Sequence, residues 1–181
     1  MSTIEGLIKA YGQYVAIPWD PNLAGPQRVW FVVYEPAHER RLRMRIGEFE
    51  TRTLAAGHGW QHVDLTHEFS RWMASHEYRD AYFEHPEDME FALVDFEEHL
   101  AARVVKTLHS ADEHAVVALS GLASLFDLTK VSTLIEAVAP QVRGRLVAFF
   151  PGQYENTTYR LLDARDGWNY LAVPIRAMEE H

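Results

Sequence analysis

The chain contains no cysteine. That excludes a disulfide, a thiolate zinc site and a cysteine nucleophile, and it fits a reducing, cytoplasmic setting. No apolar run approaches the ~18 residues of a membrane-spanning helix, so no membrane contact is expected. The N-terminal MSTIEGLIKAYG has neither a basic region nor a long apolar core, so it does not read as a signal peptide. Basic residues are few, 17 Lys and Arg against 26 Asp and Glu, for a formal net charge of -9. Phosphate contacts need clustered Lys and Arg, so direct nucleic-acid binding is not expected. The deficit is local. From Asp80 to Glu98 there are eight carboxylates and no Lys or Arg. That one segment accounts for nearly all the net charge. Its residues Glu87, Glu90, Glu97 and Glu98 form a candidate acidic docking surface, one that repels nucleic acid and attracts basic protein surfaces.

At 181 residues, 48% hydrophobic, the chain is expected to be one domain (1–181) with a sizeable core. Ile4, Leu7, Ile8, Tyr11 and Val15 fall on one helical face, with Ser2 or Thr3 as cap. The prolines of IPWDPNLAGP then impose a loop. RVWFVVY, from Arg28 to Tyr34, reads as a strand covered on both faces. A helix is expected from Pro36 to Ala56, stopped by Gly57. Trp60–Leu65 is a weaker strand, followed by a helix capped by Thr66 and running through Ala74 or beyond, and another from Pro86 to about Leu108. Ala115–Ser120 and Arg145–Phe150 are strands joined through a helix over Leu128–Ala139. Trp168–Ile175 closes the sheet, with a short strand over Tyr159–Leu162 beside it. Strands alternating with helices imply an α/β three-layer sandwich. Its central sheet is expected to be mostly parallel, with about five strands, P-loop- or Rossmann-like but without a phosphate-binding loop.

Ligands in such sheets bind outside the carboxyl ends of the strands. Those ends give a candidate docking or ligand rim of Tyr34, Glu35, Ser120, Gly121, Pro151, Gly152 and Tyr154. Recognised chemistry is missing from it. The first strand runs into Glu35-Pro36-Ala37-His38-Glu39, with none of the glycine and lysine of a Walker loop. Gly57-His58-Gly59 precedes a strand instead of following one, so it is no dinucleotide fingerprint. His58, His62, Asp64, His67 and Glu68 cluster in sequence, but His67-Glu68 lacks the second histidine of a zincin helix. They read as polar surface residues, with no metal and no cofactor. Ala118-Leu119-Ser120-Gly121-Leu122 lacks the first glycine of a nucleophile elbow and reads as a strand-end turn. Arg40, Arg41, Arg43, Arg45 and Arg52 read as a solvated helix face with internal ion pairs, including Glu39–Arg43. No catalytic residue is assigned, and the chain is not expected to be an enzyme.

Several short segments occur in an order that resembles a known family. Tyr34-Glu35-Pro36 ends the first strand. Ser120-Gly121 is followed by Ala123-Ser124-Leu125-Phe126 and a helix containing Thr133-Leu134. Next come Phe149-Phe150-Pro151-Gly152-Gln153-Tyr154, Tyr159-Arg160-Leu161-Leu162 and Asn169-Tyr170. Together they resemble the BrxB family, small components of BREX (bacteriophage exclusion) defence systems. Asp127 and Lys130 depart from the family pattern. The resemblance implies a cytoplasmic, non-catalytic accessory subunit in anti-phage defence. Its expected partners are a PglZ-type protein and other BREX components. The alternative is a degenerate nucleotide- or small-molecule-binding domain using the strand-end rim.

Overall fold

The computed structural model describes residues 3–177; Ser2, one of the two expected caps, lies outside them. Helix α1 spans Thr3–Val15 and buries Ile4, Leu7, Ile8, Tyr11 and Val15, the face expected from their spacing. Strand β1 covers Val29–Tyr34 and is buried along its whole length. The expected helix over 36–56 is interrupted. A 3-10 turn at Pro36–His38 leads into α2 (Glu39–Met44), and α3 (Ile46–Ala55) follows a non-helical Arg45 at φ -116° and ψ 10°. Strand β2 is Gly59–Asp64 and α4 is Glu68–Ala74. A short helix α5, Arg79–Glu84, precedes the long α6, Met89–Ser110. Strand β3 is Ala115–Ser120, α7 is Val131–Val138 and β4 is Arg145–Glu155. The chain then adds β5 (Thr158–Leu161), β6 (Trp168–Asn169) and β7 (Val173–Ile175).

The sheet is mixed and open, with seven strands among the described residues instead of about five. Its main path runs β2-β3-β4-β1-β7, and every pairing along that path is parallel. Antiparallel pairing enters through β5, which joins the far half of β4, and through β6, which joins β5. The chain crosses one face of the sheet in going from β1 to β2 and the other face in returning through β3 to β4, as crossovers of one hand require.

Strand side chains alternate between two cores. Trp30, Val32, Tyr34, Val116, Ala118, Val147 and Phe149 pack under α1, α2 and α3. Phe31, Val33, Val117, Leu119, Ala148 and Phe150 pack under α6 and α7. In the first core the Tyr11 hydroxyl donates to Thr53 Oγ1 at 2.6 Å, and Thr53 donates in turn to the Phe49 carbonyl at 2.8 Å. Two hydroxyls buried among aromatic rings are thereby satisfied. In the second, Tyr159 is fully buried and donates to the Ala172 carbonyl at 2.8 Å, with its ring 4.5 Å from that of Phe31.

Two expectations need correction. Pro151-Gly152-Gln153-Tyr154 is not a turn after β4. The strand continues through it and pairs with β5, Gly152 opposite Leu161 and Tyr154 opposite Tyr159. The reversal falls at Asn156 and Thr157, both at positive φ (51° and 63°). Two consecutive positive φ values mark a type I′ hairpin turn, whose usual signature is Asn-Gly. A β-branched threonine occupies the glycine position. Thr157→Gly is therefore expected to stabilise the fold by about 0.5–1 kcal/mol, since glycine adopts that conformation without steric cost; urea denaturation measures it. The second correction is at Trp168–Ile175. It forms two short strands with different partners, because β6 extends the hairpin while β7 joins β1.

Candidate functional site

The carboxyl ends of β1, β2 and β3 carry a connected set of polar side chains on the α2–α3 face. Tyr34 ends β1 fully buried, and its hydroxyl donates to Glu39 Oε2 in a short hydrogen bond. Glu39 is bridged to Arg43 at 2.9 Å, the i,i+4 pair expected of α2. Arg43 reaches across to β2, donating to Thr66 Oγ1 at 2.5 Å and lying 3.7 Å from Asp64. Asp64 Oδ1 accepts both the Thr66 backbone N–H at 3.0 Å and the Thr66 hydroxyl at 2.5 Å. On the neighbouring register positions His62 Nε2 lies 2.7 Å from Ser120 Oγ.

Gly121 explains how these groups lie so close. It stands at φ +79°, and a Cβ there would come within 2.5 Å of the Thr66 nitrogen and 2.9 Å of Asp64 Oδ1. Only glycine lets the β3 turn pass beneath the Asp64–Thr66 turn. The Ser120-Gly121 turn is thus the joint between β2 and β3.

The electrostatics follow from these contacts. Burial, then the bond to Glu39, holds the Tyr34 phenol well above its ordinary pKa. Burial works to raise Asp64, but the two Thr66 hydrogen bonds and the Arg43 charge outweigh it, so its carboxyl lies below the ordinary value. Desolvation lowers the His62 pKa, against the opposing pull of Asp64. His62 is therefore expected to be neutral at pH 7. A histidine whose folded pKa is depressed contributes stability that is present above its unfolded value, near 6.5, and is lost as pH falls below that value. NMR titration of the ring is expected to give a midpoint below about 6.5; a midpoint above it contradicts this geometry.

The Ser120–His62 contact lacks the rest of a hydrolytic apparatus. Asp64 is engaged by Thr66 and Arg43, with no hydrogen bond orienting His62. Ser120 itself is buried, so a substrate carbonyl has no approach to its hydroxyl. The histidines and acids grouped by sequence are scattered in space. His58 stacks on Trp19 at the opposite end of β2, at 3.5 Å. Glu68 is buried under α6 between Arg71, His99 and Arg103, at 3.4 to 3.7 Å. Among the described residues no three His, Cys, Asp or Glu side chains are grouped to hold a metal ion.

The seven expected rim residues do not form one open surface. Tyr34, Ser120, Gly121, Pro151 and Gly152 are buried, Tyr154 is partly covered, and Glu35 alone is exposed. Pro151 lies beside Tyr34 in register, and its carbonyl accepts the Leu162 N–H at 2.8 Å. The hairpin covers the rim at Pro151 and Gly152. None of the seven lines either of two clefts of about 800 and 700 Å³. The larger opens beside the hairpin, between Asp127, Lys130, Phe150, Arg165 and Trp168. The smaller lies at the amino ends of the strands.

The acidic residues occupy α5, the turn at 86–88 and the first half of α6. Glu87, Glu90 and Glu98 are exposed, while Glu97 is partly buried and accepts the Thr129 hydroxyl at 2.6 Å. Sequence reasoning missed what lies between them. Tyr78, Phe83, Phe91 and Val94 are exposed, Phe91 at 80%. These four are half of the exposed large hydrophobic residues described, and they fall within 17 residues of chain. The signal was present in α6: Phe91 and Val94 fall off the buried stripe of Ala92, Phe96, Leu100, Val104 and Leu108.

Among the described residues no helix is long and apolar enough to cross a membrane. Searches of curated proteins and of solved structures returned no match. The model of one family, described as BREX protein BrxB, matches residues 66–175. The match runs from the Thr66 turn through α4, α6, β3, α7 and the β4–β5 hairpin to β7. It covers more than half of the chain and contains the Ser120-Gly121 and Pro151-Gly152 segments. The chain therefore belongs to the BrxB family and is a component of the BREX anti-phage defence.

Proposed function

We propose that this BREX component is a non-catalytic interaction subunit that docks onto a PglZ-type partner through the acidic arm formed by α5 and the first half of α6. The observation that carries the proposal is the exposure of Tyr78, Phe83, Phe91 and Val94 among the carboxylates of that arm. Large apolar side chains cost free energy when left in water. Interspersed with carboxylates along one segment, they have the composition of a protein interface, which combines aromatic anchors with polar groups. The carboxylates specify the partner's chemistry: apolar pockets surrounded by Lys and Arg. The buried Ser120 and the missing carboxylate orientation of His62 support the non-catalytic part of the reading.

Co-expression with a PglZ-type protein of the same defence system tests this. The two are expected to co-purify at low ionic strength and to separate progressively as salt screens the rim charges. Failure to co-purify at low salt contradicts the proposal.

A further inference from the structure

The cleft at the amino ends of the strands, opposite the expected rim, concentrates positive charge in a chain that is otherwise acidic. Arg28 precedes β1, Arg145 opens β4, and Arg143 lies two residues before it. All three line the cleft of about 700 Å³ together with Trp19, His58 and His114. That volume lies in the range of small-molecule sites. None of the three arginines is within 4 Å of a carboxylate among the described residues; their partners are backbone carbonyls. Arg28 reaches Leu23, Pro21 and Arg143 carbonyls at 2.6 to 3.2 Å, tying the proline-rich loop to the sheet. Asp20 and Glu113 also line the cleft. The first accepts the Asn22 N–H at 2.8 Å and acts on Arg145 only through space, from beyond 4 Å; the second pairs with His114 at 3.4 Å.

Two buried donors on this wall have no acceptor. Arg145 is 97% buried (3% exposed), and its Nε is unpartnered; so is the indole Nε1 of Trp19. Arg145 lies over the Trp19 ring at 4.7 Å, and Trp19 stacks on His58. That stack fixes both donors in place. A buried N–H without a partner is costly, the more so on a cation. An acceptor that carries negative charge offsets such a cost, and arginine donors match phosphate and carboxylate oxygens in planar, two-point fashion.

We propose that this amino-end cleft binds a small anion through a phosphate or carboxylate group, held by Arg28, Arg143 and Arg145 against the Trp19–His58 stack. The site is separate from the acidic arm, and the two proposals fail independently. Titrations of the full chain with inorganic phosphate, with adenosine monophosphate and with citrate, each against sodium chloride at matched ionic strength, distinguish the sources of the anion. The readout is the pair of side-chain N–H signals of Trp19 Nε1 and Arg145 Nε in ¹⁵N-correlated NMR. At least one anion is expected to shift both signals saturably where chloride does not. Arg143→Gln, at an exposed position, is expected to weaken that response at least tenfold, with Arg28→Lys as a second variant that keeps the charge. Shifts that never saturate, that chloride reproduces, or that survive Arg143→Gln and Arg28→Lys unchanged overturn the proposal.

Discussion

Gly152→Ala is expected to unseat the β4–β5 hairpin and to cost about 3 kcal/mol or more. A Cβ at this position would stand 2.0 Å from the Arg160 carbonyl oxygen and 3.0 Å from Phe150. The first of these is backbone, which cannot rotate aside as a flexible side chain does. Relief requires the two strands to part, and β5 carries Tyr159, whose buried ring packs on Phe31, Phe150 and Tyr154. The loss therefore reaches the core beneath α6 and α7. For a domain of this size the expected fall in melting temperature is roughly 6–12 °C. Gly47→Ala is the control. Nothing lies within 4 Å of a Cβ there, the position is helical, and alanine is expected to be neutral or stabilising by up to about 1 kcal/mol. Equal losses for the two substitutions would contradict the account of the hairpin.

The second large effect is on association. Phe91→Ala is expected to cost about 2 kcal/mol of binding to the PglZ-type partner, roughly 30-fold in Kd, as the loss of an aromatic anchor does. The free chain is expected to lose no stability, because Phe91 is 80% exposed. Reversing Glu87, Glu90 and Glu98 to lysine is expected to act differently. It slows association and inverts the salt dependence, because rim charges steer encounter more than they hold the complex. Glu97 is left in place in that variant, since its bond from Thr129 ties α6 to the segment before α7. Unchanged affinity in both variants would remove the arm from the interface.

The legible parts of the fold are those where one periodicity acts alone. The buried face of α1, the apolar runs of β1 and β3, and the stripe of α6 all follow from spacing. The parts that differ are decided by backbone geometry. Asn156-Thr157 makes a hairpin turn without the glycine that signals one, so spacing alone ends β4 at Phe150, five residues short of Glu155. The break at Arg45 carries no proline or glycine, so α2 and α3 read as one helix. The rim residues follow the strand order, but their burial has separate causes that spacing does not show: β5 pairs over Gly152 and Tyr154, and the Asp64–Thr66 turn closes on Gly121. The acidic arm was legible as charge. Its aromatic content is less so: Phe91 falls off the buried stripe of α6, but spacing alone says nothing of Phe83 in the short α5. The arginine cleft was least legible, since Arg28, Arg143 and Arg145 meet only once β1 and β4 are paired.

The central claim is that the acidic arm is the surface this BREX component offers to a PglZ-type protein. Hydrogen–deuterium exchange of the full chain, alone and with the purified PglZ-type partner, tests it most directly. The account predicts new protection concentrated between Tyr78 and Glu98, with the strand-end segments around Ser120 and Gly152 unchanged. Protection absent from that arm, or confined to the strand-end segments, would contradict it.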